Sequence, residues 1–245
     1  SHRARQHHAG RPAHDRDIYA AQGLSAEDCC RRLATMGDLA RHELYGLIEI
    51  IMNKDDCCRI FNVEDIIDLP QAAMNIVMGD RERRDAVYRE LLSVNRYDMS
   101  FDWFRQLYEE EFAQRKKQKQ DFTPVEVSEI VAKIALPTVG TIHETTAGTG
   151  GLIISAWWEQ CRRAIPWDYY PSQHMISVWE LSDRAIPLLL LNLSICGIMG
   201  YVYHGDVLEG TVKARYILLN RSDDALGFSD VVKAEAGDII VEQCK

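Results

Sequence analysis

A chain of 245 residues, 47% apolar and 27% charged, has room for one ordinary domain and a smaller one, and is too apolar to be a disordered chain. Its formal charge of −9 excludes a surface that coats nucleic acid broadly, because phosphate binding needs clustered Lys and Arg. No apolar run approaches the ~20 residues that cross a bilayer; the longest, IPLLLLNLSICGIMG, is broken by Asn192 and Ser194.

Residues 1–16 are polar and basic with no hydrophobic segment, so they read as a disordered tail rather than a secretion signal. A helical region is predicted over 17–120. SAEDCCRRLATMGDLARHELYGLIEIIM opens at Ser25, a capping residue, and Leu33, Met36, Leu39, Leu44, Leu47, Ile48 and Ile51 recur at roughly helical spacing. DRERRDAVYRELLSV and SFDWFRQLYEEEFAQRKKQK read as two further amphipathic helices, the second opening at Ser100. Its aromatics Phe101, Trp103, Phe104, Tyr108 and Phe112 suit one buried stripe. The basic run Arg115–Lys119 reads as a solvated helix end, or else as a local phosphate-binding patch.

The seven cysteines include two adjacent pairs, Cys29-Cys30 and Cys57-Cys58, whose side chains diverge on a helix. With no CxxC and no paired histidine ligands, no metal site is expected. The cysteines are read as the reduced thiols of a cytoplasmic protein.

Beyond Thr123-Pro124, over 121–245, strand and helix alternate. VEVSEIVAKIAL is a predicted helix, GTIHETTA a strand and GGLIISAWWEQCRRA a helix. HMISVWEL, a strand, precedes the helix DRAIPLLLLNLSICGI, and GYVYHGDVL and ARYILLN follow as strands. SDVVKAEAGDIIVEQ reads as two short strands. Such alternation implies an α/β fold with a parallel, Rossmann-like sheet, whose ligands bind at the carboxyl ends of the strands.

Between the first strand and its helix lies ETTAGTGGL. Glycine lets a backbone take positive φ and approach a ligand closely, although a purely structural turn would use the same residues. A P-loop is excluded, since Leu152-Ile153 stand where Lys and Ser or Thr belong. The dinucleotide fingerprint is excluded too, because its third glycine would fall on Ile153. Acids instead end three successive strands: Glu144, Glu180 and Asp206. In a parallel sheet those ends are neighbours. The second acid is placed to accept ribose hydroxyls, and the third to accept an adenine amino proton.

In order and content, FTP (Phe122–Pro124), ETTAGTGGL, WELSDRAIPLLLLNLSICGI and HGDVL resemble the cofactor half of S-adenosylmethionine-dependent DNA adenine-N6 methyltransferases. The likeness is to the modification subunits of type I restriction systems and their phage relatives, and it covers roughly residues 101–210. The family's Asp-Pro is Glu144-Thr145 here. The resemblance implies that Phe122, Thr123 and Pro124 line the methionine end of S-adenosylmethionine and that Glu144 faces its amino group. It implies that Gly148, Thr149 and Gly150, with Thr146 in the same loop, pass beneath the cofactor. Glu180 would hold the ribose, Leu181 would pack on the adenine, and Asp206 with Val207 would read its N6.

The family's catalytic tetrapeptide, a polar residue followed by Pro-Pro and an aromatic, is missing: the chain has no Pro-Pro. At the end of the expected fourth strand, YILLNRSDDALGFSD offers Asn220 as the only candidate polar residue, with Phe228 either a displaced stacking ring or an ordinary buried aromatic. Two readings follow from the resemblance. One is a DNA adenine-N6 methyltransferase completed by a partner subunit that supplies DNA recognition. The other is a non-catalytic methyltransferase-fold protein with a binding, regulatory or anti-restriction role. A methyltransferase for a small molecule or protein, where Pro-Pro is not expected, is disfavoured by the helical region and Phe-Thr-Pro.

Overall fold

The computed structural model describes residues 52–111, 123–135, 140–164 and 168–234. The predicted helix over 25–52 (all but Met52), Phe112, the basic run at 115–119 and the last strand beyond 234 lie outside them.

The helical region begins with α1 (Lys54–Phe61), whose N-cap Asn53 accepts from Asp56 N, and α2 (Leu69–Val77), which carries Pro70 in its first turn. Next comes α3 (Arg81–Val94), capped by Asp80 through Arg83 N. The following helix, α4, spans Arg105–Glu111 rather than opening at Ser100. Its delay has a local cause: Asp102 takes Phe104 N on one carboxylate oxygen and turns inward, so Phe101–Phe104 form a turn instead of a first helical turn. Trp103, Phe104 and Tyr108 are buried, as their spacing predicts.

Then follow α5 (Val125–Ala135), β1 (Ile142–Glu144), α6 (Gly151–Arg163), β2 (Ile176–Glu180), α7 (Ala185–Ile195), β3 (Gly200–Asp206), β4 (Thr211–Leu219) and β5 (Asp230–Lys233). Every residue of α7 is buried. Its uniform apolarity fits that position, since it packs on both α2 and β5 and has no face left for water. One continuous apolar core runs from the helical region into the sheet. Arg84 on α3 joins them as well, buried with Nη1 2.7 Å from Asp230 on β5.

The sheet has the order β1-β2-β3-β4-β5. Strands β1, β2 and β3 are parallel, as alternation with helices predicts. Strands β4 and β5 are antiparallel, which corrects the expectation of a parallel fourth strand. Only Val207–Gly210 separate β3 from β4, whereas a parallel crossover needs about a dozen residues or more. Asp206 Oδ1 accepts from Leu208 N and Glu209 N at 2.8 and 3.1 Å, and Gly210 takes φ +66°, so the chain reverses into a hairpin.

That reversal moves Asn220. With Gly200 opposite Leu218, the end of β4 lies where β2 and β3 begin, at the far end of the sheet from Glu144, Glu180 and Asp206. Asn220 is buried there, its Nδ2 facing the carbonyls of Gly197, Asp224 and Gly227 at 3.2, 2.8 and 3.1 Å. Phe228 is the ordinary buried aromatic, packed edge-on against Tyr88. Asn220→Ala should therefore destabilise the fold by about 2–3 kcal/mol in urea denaturation, through unpaired buried carbonyls. Ligand affinity of the folded protein should be unchanged.

Candidate functional site

The carboxyl ends of β1, β2 and β3 open on a cavity of about 730 Å³, a size suited to a cofactor. Its floor is the turn between β1 and α6. Gly148 and Gly150 sit at φ +58° and +109°, conformations that a residue with Cβ rarely takes. At Gly150 a Cβ would also press on Leu189 at 3.1 Å.

Two carboxylates organise this turn. Glu180 Oε2 accepts from Gly148 N and its Oε1 from Ser182 N, both at 2.7 Å. Asp102, from the helical region, accepts from Thr149 Oγ1 at 2.5 Å and Asn192 Nδ2 at 2.7 Å. The same Asn192 amide donates to Thr149 O at 2.9 Å. A turn residue, a core helix and the approach to α4 thus converge on one buried carboxylate. Burial holds the Asp102 carboxyl above the usual range against the opposing pull of Thr149, Phe104 and Asn192. Nearby, Tyr108 Oη and Ser182 Oγ share a hydrogen bond of 2.7 Å, tying α4 to the turn after β2.

Glu144 differs from the others. Its Oε2 is buried without a hydrogen-bond partner among the described residues, and the side chain lines the cavity. Burial first, and then the Glu180 charge, push its carboxyl up to about 8. A buried carboxyl with an unmatched oxygen at a cavity wall is suited to a cationic donor.

The structure brings Thr123, Glu144, Thr146, Gly148, Glu180, Leu181, Asp206 and Val207 to this one cavity. Leu181 is half exposed there and Asp206 keeps Oδ1 in its hairpin turn. Thr149 and Gly150 are buried behind the cavity wall, with the Thr149 hydroxyl directed at Asp102. Pro124 leads into α5, where its carbonyl accepts from Ser128 N. Phe122 lies outside the described residues, and Asn220 is at the opposite end of the sheet.

Sequence reasoning missed the lining residues that the helical region supplies, Asp102, Arg105 and Tyr108. Their stretch reads as a buried aromatic stripe, yet a carboxylate set between Phe101 and Trp103 was a signal that something other than packing is held there. Among the described residues, no group of three or more His, Cys, Asp or Glu could hold a metal ion, and no helix is long and apolar enough to cross a membrane.

A parallel strand–glycine turn–helix unit with acids at successive strand ends defines an α/β protein with a nucleoside-sized pocket at its strand ends. Residues 99–216 match the family model described as N-6 DNA Methylase, and that stretch is similar to the N-6 DNA methylase family. The matched segment runs from the turn containing Asp102 to β4, and so includes Asp102, Arg105 and Tyr108. No curated protein matches the chain.

Asp102→Ala should cost about 2–4 kcal/mol of stability, because it strands the Thr149 hydroxyl and the Asn192 amide in the core. Asp102→Asn, which keeps the shape and lets the Thr149 hydroxyl reverse as acceptor, should cost less than about 1 kcal/mol. Urea denaturation of the pair distinguishes a hydrogen-bond tie from a requirement for charge.

Proposed function

We propose that this chain binds S-adenosylmethionine in the strand-end cavity and serves as the cofactor-holding part of a DNA adenine-N6 methyltransferase. The observation that carries the reading is the unpartnered, buried Glu144 Oε2 at the head of the glycine turn. An ammonium group on the amino-acid end of the cofactor supplies the missing donor. The turn passes beneath the cofactor with no Cβ at Gly148. Glu180, held by Gly148 N and Ser182 N, keeps acceptor capacity for a ribose hydroxyl. Leu181 offers an exposed apolar surface for the adenine ring, and the loop from Asp206 to Leu208 closes that end.

When bound, the cofactor supplies an electrophilic methyl group. The residues at the cavity would orient that group, and among the described residues that line it there is no polar residue followed by Pro-Pro and an aromatic. Asn220 is committed to a loop elsewhere, and no Pro-Pro exists. In this reading the contacts that would align an adenine amino group with the methyl carbon fall to a partner subunit, which would also read the DNA.

Two surfaces support such a partner. Among the described residues one edge of β1 is unpaired, and α5 turns Val127, Ile130, Val131 and Ile134 to solvent, the last 81% exposed. Open strand edges and exposed apolar helical ridges are recurrent docking surfaces. The buried, structural role of Asn220 also supports the second reading, a non-catalytic methyltransferase-fold protein acting through binding alone. Methyl transfer to unmethylated DNA in the presence of candidate partner subunits separates the two.

Cofactor binding carries a protonic signature. At neutral pH the Glu144 carboxyl, pushed up to about 8, is mostly protonated in the free protein. An ammonium ion pairs with the ionised form, so binding expels a proton and affinity rises with pH between about 6 and 7.5. Calorimetry in buffers of different ionisation enthalpy should record release of close to one proton. Glu144→Gln should abolish that release and weaken binding roughly tenfold, the worth of one charged contact. Binding without proton release would place the ammonium group elsewhere, and absence of heat at high protein concentration would overturn the function.

A further inference from the structure

The cavity has a charge pattern that the family resemblance does not explain. Its lining holds four acids, Asp102, Glu144, Glu180 and Asp206, and one cation, Arg105. Arg105 stands at the start of α4, where its Nε donates to Glu109 Oε1 at 2.9 Å, one helical turn on. The side chain is 18% exposed. Among the described residues its two terminal nitrogens have no hydrogen-bond partner, although the Asp102 carboxylate is close enough to feel the guanidinium charge.

A ligand that presents an ammonium group to Glu144 as part of an α-amino acid carries a carboxylate about one carbon away. That anion cannot sit against Glu144, Glu180 or Asp206 without repulsion. The planar fork of an arginine, already pinned through Nε, is the group chemically matched to it. We propose that Arg105 is a specificity-determining residue that receives the α-carboxylate of the cofactor's amino-acid moiety, opposite the Glu144 contact to its ammonium group. This inference rests on S-adenosylmethionine binding as proposed above. It adds that the helical region, and not only the sheet, selects the ligand. The zwitterion is read by one acid and one base from different parts of the fold, and nucleosides without an amino acid lose both contacts.

The test varies the ligand as well as the protein. Binding to the wild-type protein is measured for S-adenosylmethionine, its decarboxylated analogue and 5′-methylthioadenosine, which lacks the whole amino acid. Loss of the carboxylate should weaken wild-type binding about 10- to 100-fold, the worth of one charge-assisted pair. Arg105→Met should weaken S-adenosylmethionine by a similar factor while leaving the decarboxylated analogue and 5′-methylthioadenosine within about twofold, and Arg105→Lys should recover part of the loss.

Equal affinity of the wild type for S-adenosylmethionine and its decarboxylated analogue would overturn the assignment, whatever the variants do. So would Arg105→Met weakening all three ligands alike, which is the mark of a merely structural residue. Wild-type protein that binds none of the three would overturn the proposed function and this inference with it. Strong, equal binding of all three would leave a nucleoside site standing but remove both the Arg105 and the Glu144 contacts, whereas weakened binding of 5′-methylthioadenosine alone would remove Arg105 and keep Glu144.

Discussion

The buried carboxylate of Asp102 is the constraint on which the arrangement depends. Removed from water, it must be satisfied by donors, and it finds them on three separate pieces of chain: Phe104 N beside it, Thr149 in the glycine turn and Asn192 on α7. An ion in the interior is tolerated only when its lone pairs are used in this way. The consequence reaches beyond stability. The turn at Gly148–Gly151, which by composition has many conformations open to it, is fixed from behind by the Thr149 hydroxyl and from the front by the Glu180 carboxylate. A pocket floor held on both sides is preorganised before any ligand arrives, which lowers the ordering cost of binding.

The same tie makes the helical region part of the site. With Asp102 drawn inward, α4 begins late and carries Arg105 and Tyr108 to the cavity wall. The strand ends alone would offer only acids. A wall bearing a base beside a floor bearing acids suits a ligand that is itself of mixed charge, such as an amino-acid-bearing sulfonium nucleoside. Among the described residues, the unsatisfied Glu144 oxygen and the unpartnered fork of Arg105 are the two ends of that pattern.

Much of this was legible in the residues, and the exceptions have physical reasons. The parallel β1-β2-β3 unit was readable because apolar strands and helices alternate with short links, and the acids at their ends followed from it. The direction of β4 was not read correctly, though the four residues from Val207 to Gly210 held the answer: too few for a crossover, with Asp206 and Gly210 both turn formers. That one reversal sends Asn220 to the wrong end of the sheet for catalysis. Asp102 and Arg105 were illegible for another reason. The role of Asp102 arises from contacts 47 and 90 residues away along the chain, to Thr149 and Asn192, and Arg105 reaches the cavity through where that tie sets α4; no local periodicity reports such contacts. The aromatic stripe around them was read correctly as core, and it concealed the polar pair within it.

Hydrogen exchange monitored by mass spectrometry, with and without S-adenosylmethionine, tests the joint pocket most directly. Slowed exchange on ligand addition is expected together in residues 101–108, 145–151 and 205–208, the helical wall, the glycine turn and the hairpin rim. Protection of the glycine turn without the helical segment would contradict a shared site, and protection nowhere in these segments would contradict the pocket itself.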